Sequence, residues 1–114
     1  MLGICLSEES ARALQKGRME AVAMDISESP RFETRWQEPD VLVHCASSGR
    51  GGADAYRRVY LEGLKNLLSA TRAGHVIFVS STSVYAQSDG SVVTEESPAE
   101  PSMETGRILR EAEQ

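Results

Sequence analysis

The chain has 114 residues, 40% of them hydrophobic and 25% charged, with a formal net charge of −5. That length suits one small domain, whose core can hide roughly two-thirds of the unfolded surface, and is too short for two. The acidic balance, with Arg57 and Arg58 as the only adjacent basic pair, excludes the clustered Lys and Arg that nucleic-acid phosphates require, and the pair reads as a solvated helix face.

In chain order, residues 2–6 read as a short apolar strand. Ser7 follows as an N-cap, Glu8 and Glu9 fill the first turn, Ala11 and Leu14 give an apolar face, Lys16 ends the helix and Gly17 stops it. Residues 20–24 make a second strand, closed by Asp25. The polar connection ISESPRFETRWQEPD has room for one helical turn at residues 32–36, with Trp36 covering an edge of the core, and Pro39 and Asp40 punctuate its end.

Residues 40–46 are apolar nearly throughout, which predicts a strand buried on both faces, as in a parallel sheet. Tyr56, Tyr60, Leu64, Leu67 and Leu68 recur at helical spacing and predict a helix over residues 53–73, ended by Gly74. A fourth buried strand covers residues 75–79, followed by a long polar loop, STSVYAQSDGSVVTEESPAEP, and a closing helix over residues 102–113. A loop of that length in a small domain points to function or mobility. Helices alternating with buried strands predict an α/β fold, a partial doubly wound parallel sheet of about four strands spanning residues 1–114 as one domain.

No apolar run approaches the ~20 residues that cross a bilayer, and the start MLGICLSEES lacks the basic region of a secretory signal. The cytoplasm is therefore the expected compartment. There the two cysteines, Cys5 and Cys45, are expected as buried free thiols. No Cys/His spacing suits a metal. His44 reads as a buried strand residue and Tyr85 as a packed aromatic at the rim of the sheet.

The stretch VLVHCASSGRGGADAY has the look of a phosphate-cradling turn between strand and helix. Gly49 and Gly51 fill the first two places of G-x-G-x-x-G, but the third falls on Asp54, whose charge would repel a pyrophosphate, and the next strand ends in Ser80 and Ser81 rather than an acid. There is no Walker loop. A phospho-acceptor receiver domain fails too, because it needs an acidic pair after its first strand and a Lys after its last.

The segments VLVHCAS, YLEGLKNLLSA, VIFVSSTSVY and TEESPAEPSMETGRILREAE, in that order, resemble the extended short-chain dehydrogenase/reductase family of NAD-dependent epimerases and dehydratases. The family's G-[TL]-x-N-L-L helix is matched by Gly63, Leu64, Asn66, Leu67 and Leu68, its V-S-S-x-x-V-Y strand by residues 79–85, and its E-x-x-P-x-x-P stretch by Glu95, Pro98 and Pro101. The resemblance implies a Rossmann sheet, NAD or NADP as cofactor, and a small-molecule substrate such as a nucleotide sugar in the full-length relative. It places Asp25 and Ile26 at the adenine, Cys45, Ala46 and Ser47 along the nicotinamide side, and Ser81 at the substrate's reacting oxygen. From the residues alone, Asp25 could equally cap the turn after its strand, and Ser81, Thr82 and Ser83 could equally satisfy backbone groups.

Two departures qualify the resemblance. Thr105 and Leu109 stand at the Tyr and Lys of the family's Y-x-x-x-K dyad, and Tyr60 stands at the Asn that orders a relay water. A threonine hydroxyl does not titrate near neutrality and leucine carries no charge to lower a pKa, so the chain as given is expected to be inactive. The family's first strand, G-x-x-G-x-x-G loop and first helix have no counterpart, nor has its C-terminal substrate lobe, so the chain reads as a fragment of a longer protein. An isolated interaction module without cofactor is the alternative.

The two readings separate at the gene. The fragment reading predicts that the DNA just upstream of the Met1 codon encodes, in some frame, an apolar strand followed by G-x-x-G-x-x-G. Sequencing that finds an in-frame stop and no trace of such a strand would favour the interaction module.

Overall fold

The computed structural model describes residues 1–114. β1 (Leu2–Cys5) leads into α1 (Glu8–Lys16), which starts where the Ser7 hydroxyl accepts the Ser10 N–H at 3.2 Å. Glu8 and Glu9 lie against the positive end of the helix. The far end differs from expectation by one residue. Gly17 keeps a φ of −78°, and Arg18 takes the left-handed conformation, with φ 62°. The Arg18 N–H then reaches the Gln15 carbonyl and the Met19 N–H reaches the Leu14 carbonyl. This is a Schellman-type stop with arginine where glycine would sit without strain.

β2 (Glu20–Ala23) pairs parallel with β1, in register from Leu2 opposite Glu20 to Cys5 opposite Ala23. α1 closes on this ladder because residue 3 is glycine: a Cβ there would lie 2.9 Å from Leu14 Cδ1. Beyond β2, one 3-10 turn, Thr34–Trp36, falls inside the predicted helical turn. Arg35 stacks 5.1 Å above the Trp36 ring and pairs with Glu20 at 2.8 Å.

β3 (Val41–His44) and β4 (His75–Phe78) form a second parallel ladder, from Val41 opposite His75 to His44 opposite Phe78. The helical connection between them runs through α2 (Ala53–Tyr56), a π-helical turn (Arg57–Glu62) and α3 (Gly63–Ala70) without a break. It stops earlier than predicted because Thr71 is extended, at φ −134° and ψ 159°, and its hydroxyl donates to the Leu67 carbonyl at 2.8 Å. The π turn left no mark in the apolar spacing, which is that of an ordinary helix. A 3-10 turn at Thr82–Val84 and the final helix α4 (Glu104–Glu113) complete the chain.

The architecture is thus a partial Rossmann-like α/β fold with parallel strands and flanking helices. Its four strands pair as β1 with β2 and β3 with β4, and no ladder joins β1 to β3. Leu61, Leu64, Leu67, Val84, Ile108 and Leu109 are the main apolar core, where α4 packs on the π turn and the 82–84 turn. Gly106 makes that packing possible, since a Cβ there would collide with the Ser83 carbonyl and with Pro101.

The second ladder corrects the expectation of strands buried on both faces. Register places Val41, Val43, Ile77 and Val79 on one face, and all are about half exposed, Val43 and Ile77 at 51%. The opposite face carries His44, which is 2% exposed. An apolar strand implies two covers, and only one is present. Cys45, expected buried, is exposed for the same reason, and both thiols are free. The radius of gyration, 15.6 Å, exceeds the ~13 Å usual near this length. The 48 backbone hydrogen bonds fall short of the roughly 75 that two-thirds of about one bond per residue would give. Both follow from two short ladders with bare edges.

The core and the open face should respond differently to truncation. Leu109→Ala is expected to cost about 2–5 kcal/mol and Val43→Ala less than about 1 kcal/mol, since half of Val43 is already in water. Urea unfolding of both variants measures this, and equal costs would mean that the face carrying Val43 is covered.

Candidate functional site

The loops that leave β2, β3 and β4 carry Asp25 and Ile26, Cys45, Ala46 and Ser47, and Ser81, respectively. After β2, Asp25 folds its carboxylate back over Ser27. Oδ1 accepts the Ser27 amide at 2.9 Å and the Ser27 hydroxyl at 2.7 Å. This is an Asx turn, which short polar side chains make with the backbone two residues on. The turn is gripped from the next helix. Arg58 donates from one terminal nitrogen to Asp25 Oδ2 at 3.3 Å and to Ser27 Oγ at 3.2 Å. The Asn66 amide donates to the Ile26 carbonyl at 2.9 Å and the Glu28 carbonyl at 2.7 Å. Ile26 lies against Gly63, where a Cβ would come within 2.7 Å of Ile26 Cδ1.

These contacts leave a defined polar edge. The Ser27 hydroxyl bond, then the Ser27 amide bond, hold the Asp25 carboxyl below its ordinary value of 3.8; burial opposes them and the charge of Arg58 adds a smaller pull. The Ile26 N–H has no protein acceptor. An ionised carboxylate beside a free N–H complements a purine edge that offers an amino hydrogen and a ring nitrogen. The residues present therefore fit the adenine of a dinucleotide.

Cys45, Ala46 and Ser47 follow β3 and are all exposed. The ladder continues past its last pair, with Val79 N–H donating to His44 O at 2.9 Å, so residues 45–47 and Ser80–Ser81 leave the sheet side by side. Ser47 Oγ accepts the Gly49 N–H at 3.1 Å, and Gly49 is left-handed, with φ 65°. The glycine stretch is thus a capped turn into α2, with Asp54 in its first helical turn. Ser81 Oγ accepts the Ser83 N–H at 3.2 Å, capping the 3-10 turn, and its hydroxyl hydrogen has no protein acceptor. Ser48 and Ser80 hold buried hydroxyls without partners.

The two residues that the resemblance set at the dyad positions both lie on α4. Thr105 lies half-buried in the first turn of α4 and Leu109 is 1% exposed, within the core. His44 is a buried strand residue as expected. Its Nε2 donates to Val59 O at 2.9 Å, and Nδ1 has no hydrogen-bond partner beside Tyr60 and Phe78. No group of three or more His, Cys, Asp and Glu side chains is placed to hold a metal, and no helix is long and apolar enough to cross a membrane.

Sequence reasoning missed Arg58 and the contacts of Ser27 and Asn66. The D-x-S spacing of an Asx turn was readable. Arg58 was not: paired with Arg57 it looked like solvated charge, and only the fold sends Arg57 toward Glu111, at 3.9 Å, and Arg58 toward Asp25.

Comparison with known proteins gives three findings. The sequence pattern of the NAD dependent epimerase/dehydratase family matches residues 4–107. A solved structure assigned to the NAD-dependent epimerase/dehydratases, from Methylobacillus flagellatus, superposes with a TM-score of 0.67 at 26% identity; the match covers 98% of this chain and 48% of that one. This chain therefore spans about half the length of its structural relative. No curated protein sequence matches it.

The Ser27 contacts make a direct prediction for the carboxyl. A lowered folded pKa means that Asp25 contributes stability above its ordinary value of 3.8 and loses it as pH falls through the folded value. In a carbon-detected NMR titration, the Asp25 midpoint should lie below 3.8. Ser27→Ala should raise it further than Arg58→Ala does. A midpoint at or above the ordinary value would mean that the Asx turn is not formed.

Proposed function

The chain belongs to the NAD-dependent epimerase/dehydratase family, and we propose that it is a cofactor-binding portion of such a protein that holds the adenine end of NAD or NADP and performs no turnover by itself. The observation that carries this reading is the edge formed by the Asp25 carboxylate and the free Ile26 N–H. The relative's nicotinamide cofactor, when bound, supplies hydride transfer. This chain's own residues have narrower tasks. Asp25 accepts from the base's amino group and the Ile26 N–H donates to a ring nitrogen. Cys45, Ala46 and Ser47 lie along the nicotinamide side. The Ser81 hydroxyl, its oxygen already committed to the Ser83 amide, offers its proton to a substrate oxygen.

Proton transfer is what the chain lacks. Thr105 has no titratable group near neutrality. Leu109 is 1% exposed, so a lysine there would bury an ammonium at a cost of several kcal/mol, by order of magnitude. Restoring Tyr and Lys is therefore not enough to restore activity. The substrate, a nucleotide sugar or similar small molecule, belongs to the longer relative, and the cytoplasm is the compartment that fits. A second reading, an interaction module without cofactor, is favoured by the bare strand edges and the half-exposed apolar face of the second ladder.

Titration of the labelled chain with NAD, NADH and NADPH decides between them. The cofactor reading expects amide shifts at Ile26, Ser27 and Asn66, and a loss of affinity of about tenfold or more in Asp25→Ala, the worth of one charge-assisted hydrogen bond. Shifts with none of the three leave the interaction module. Turnover of NAD(P)H or of a nucleotide sugar by the purified chain would overturn the inactive reading.

A further inference from the structure

The polar atoms around Asp25 can be accounted for one by one. Asp25 Oδ1 takes both Ser27 bonds, so it has no lone pair to spare. The Ser27 hydroxyl donates to Asp25 and accepts from Arg58. Both amide hydrogens of Asn66 are spent on the Ile26 and Glu28 carbonyls. Three groups remain unspent on this edge: the Ile26 N–H, the second lone pair of Asp25 Oδ2, and the N–H groups of Arg58 that do not point at Asp25 or Ser27. Guanidinium has five N–H donors, and only one terminal nitrogen of Arg58 is engaged, on a side chain 60% exposed.

A carboxylate opposite the 6-position accepts from a 6-amino purine and repels the oxygen of a 6-oxo purine held in the same register. A carboxylate with a guanidinium at its shoulder presents an acceptor and a donor together. A 6-amino purine gives its amino hydrogen to Asp25 and takes the Ile26 N–H on its ring nitrogen. A 6-oxo purine gives its ring N–H to Asp25 and takes an Arg58 N–H on its oxygen. We propose that Arg58 relaxes base selection at this subsite, so that the chain accepts 6-oxo purine nucleotides nearly as well as adenine nucleotides. The inference rests on the nucleotide reading of Asp25 and Ile26, and adds to it which bases are tolerated and which residue sets that tolerance.

AMP and IMP are the probes, followed by amide shifts of Ile26 and Ser27 in the intact chain. The expected ratio of their dissociation constants is within about threefold in the native chain and widens to about tenfold or more against IMP in Arg58→Ala, the effect of one lost charge-assisted hydrogen bond. Arg57→Ala, whose partner is Glu111, should leave the ratio as in the native chain. AMP binding with IMP tenfold weaker in the native chain, or an unchanged ratio in Arg58→Ala, overturns the role of Arg58 and leaves the adenine reading intact. Binding of neither nucleotide overturns both.

Discussion

Two pairs of strands share no ladder, and the fold depends on what bridges them. The principal bridge is the Asn66 side chain, whose amide reaches from α3 to the Ile26 and Glu28 carbonyls. Arg58 adds an ion pair from the π turn to Asp25. The absence of a side chain at Gly63 lets Ile26 approach the same helix. All of these contacts converge on residues 25–28, so the segment that joins the two halves is also the segment that carries the candidate site. The site is therefore rigid only as far as the two halves are docked.

The energetics of that bridge are modest. An amide bond to a carbonyl contributes on the order of 1 kcal/mol net, and an exposed ion pair adds less than about 1 kcal/mol. By contrast, α4 seals the second half through Ile108 and Leu109, each 1% exposed. The β3–β4 half, with its helices, has the larger apolar core, and the β1–β2 half leans on it through polar contacts. Leu109 lies wholly inside that core, 1% exposed, so any change there is felt first as packing.

How much was legible depended on whether a feature is local. The start of α1 was written in Ser7, Glu8 and Glu9, and the strands were found within a residue or two because runs such as VLVH and HVIF have little other use. Parallel pairing followed from alternation with helices. The end of α1 moved by one residue because Arg18, not Gly17, accepted the left-handed conformation, a choice made by the Met19 bond to Leu14. Burial of β3 and β4 was overestimated because an apolar strand records the cover it is suited to, not the cover that is present. At the site, Asp25 and Ile26 were singled out by the family resemblance, and Asn66 stood in a motif that does not state its contacts. Arg58 could not be placed, since the same residue on the other side of a helix is solvated charge.

The bare edges of the two ladders have a colloidal consequence. Each presents unpaired N–H and C=O groups that a neighbouring chain can pair with, while the formal charge of −5 makes neighbouring molecules repel. The attraction is short-ranged and indifferent to salt, whereas the repulsion fades beyond a Debye length of about 8 Å at physiological ionic strength. Ionic strength, more than temperature, then sets the concentration at which this chain stops behaving as separate molecules.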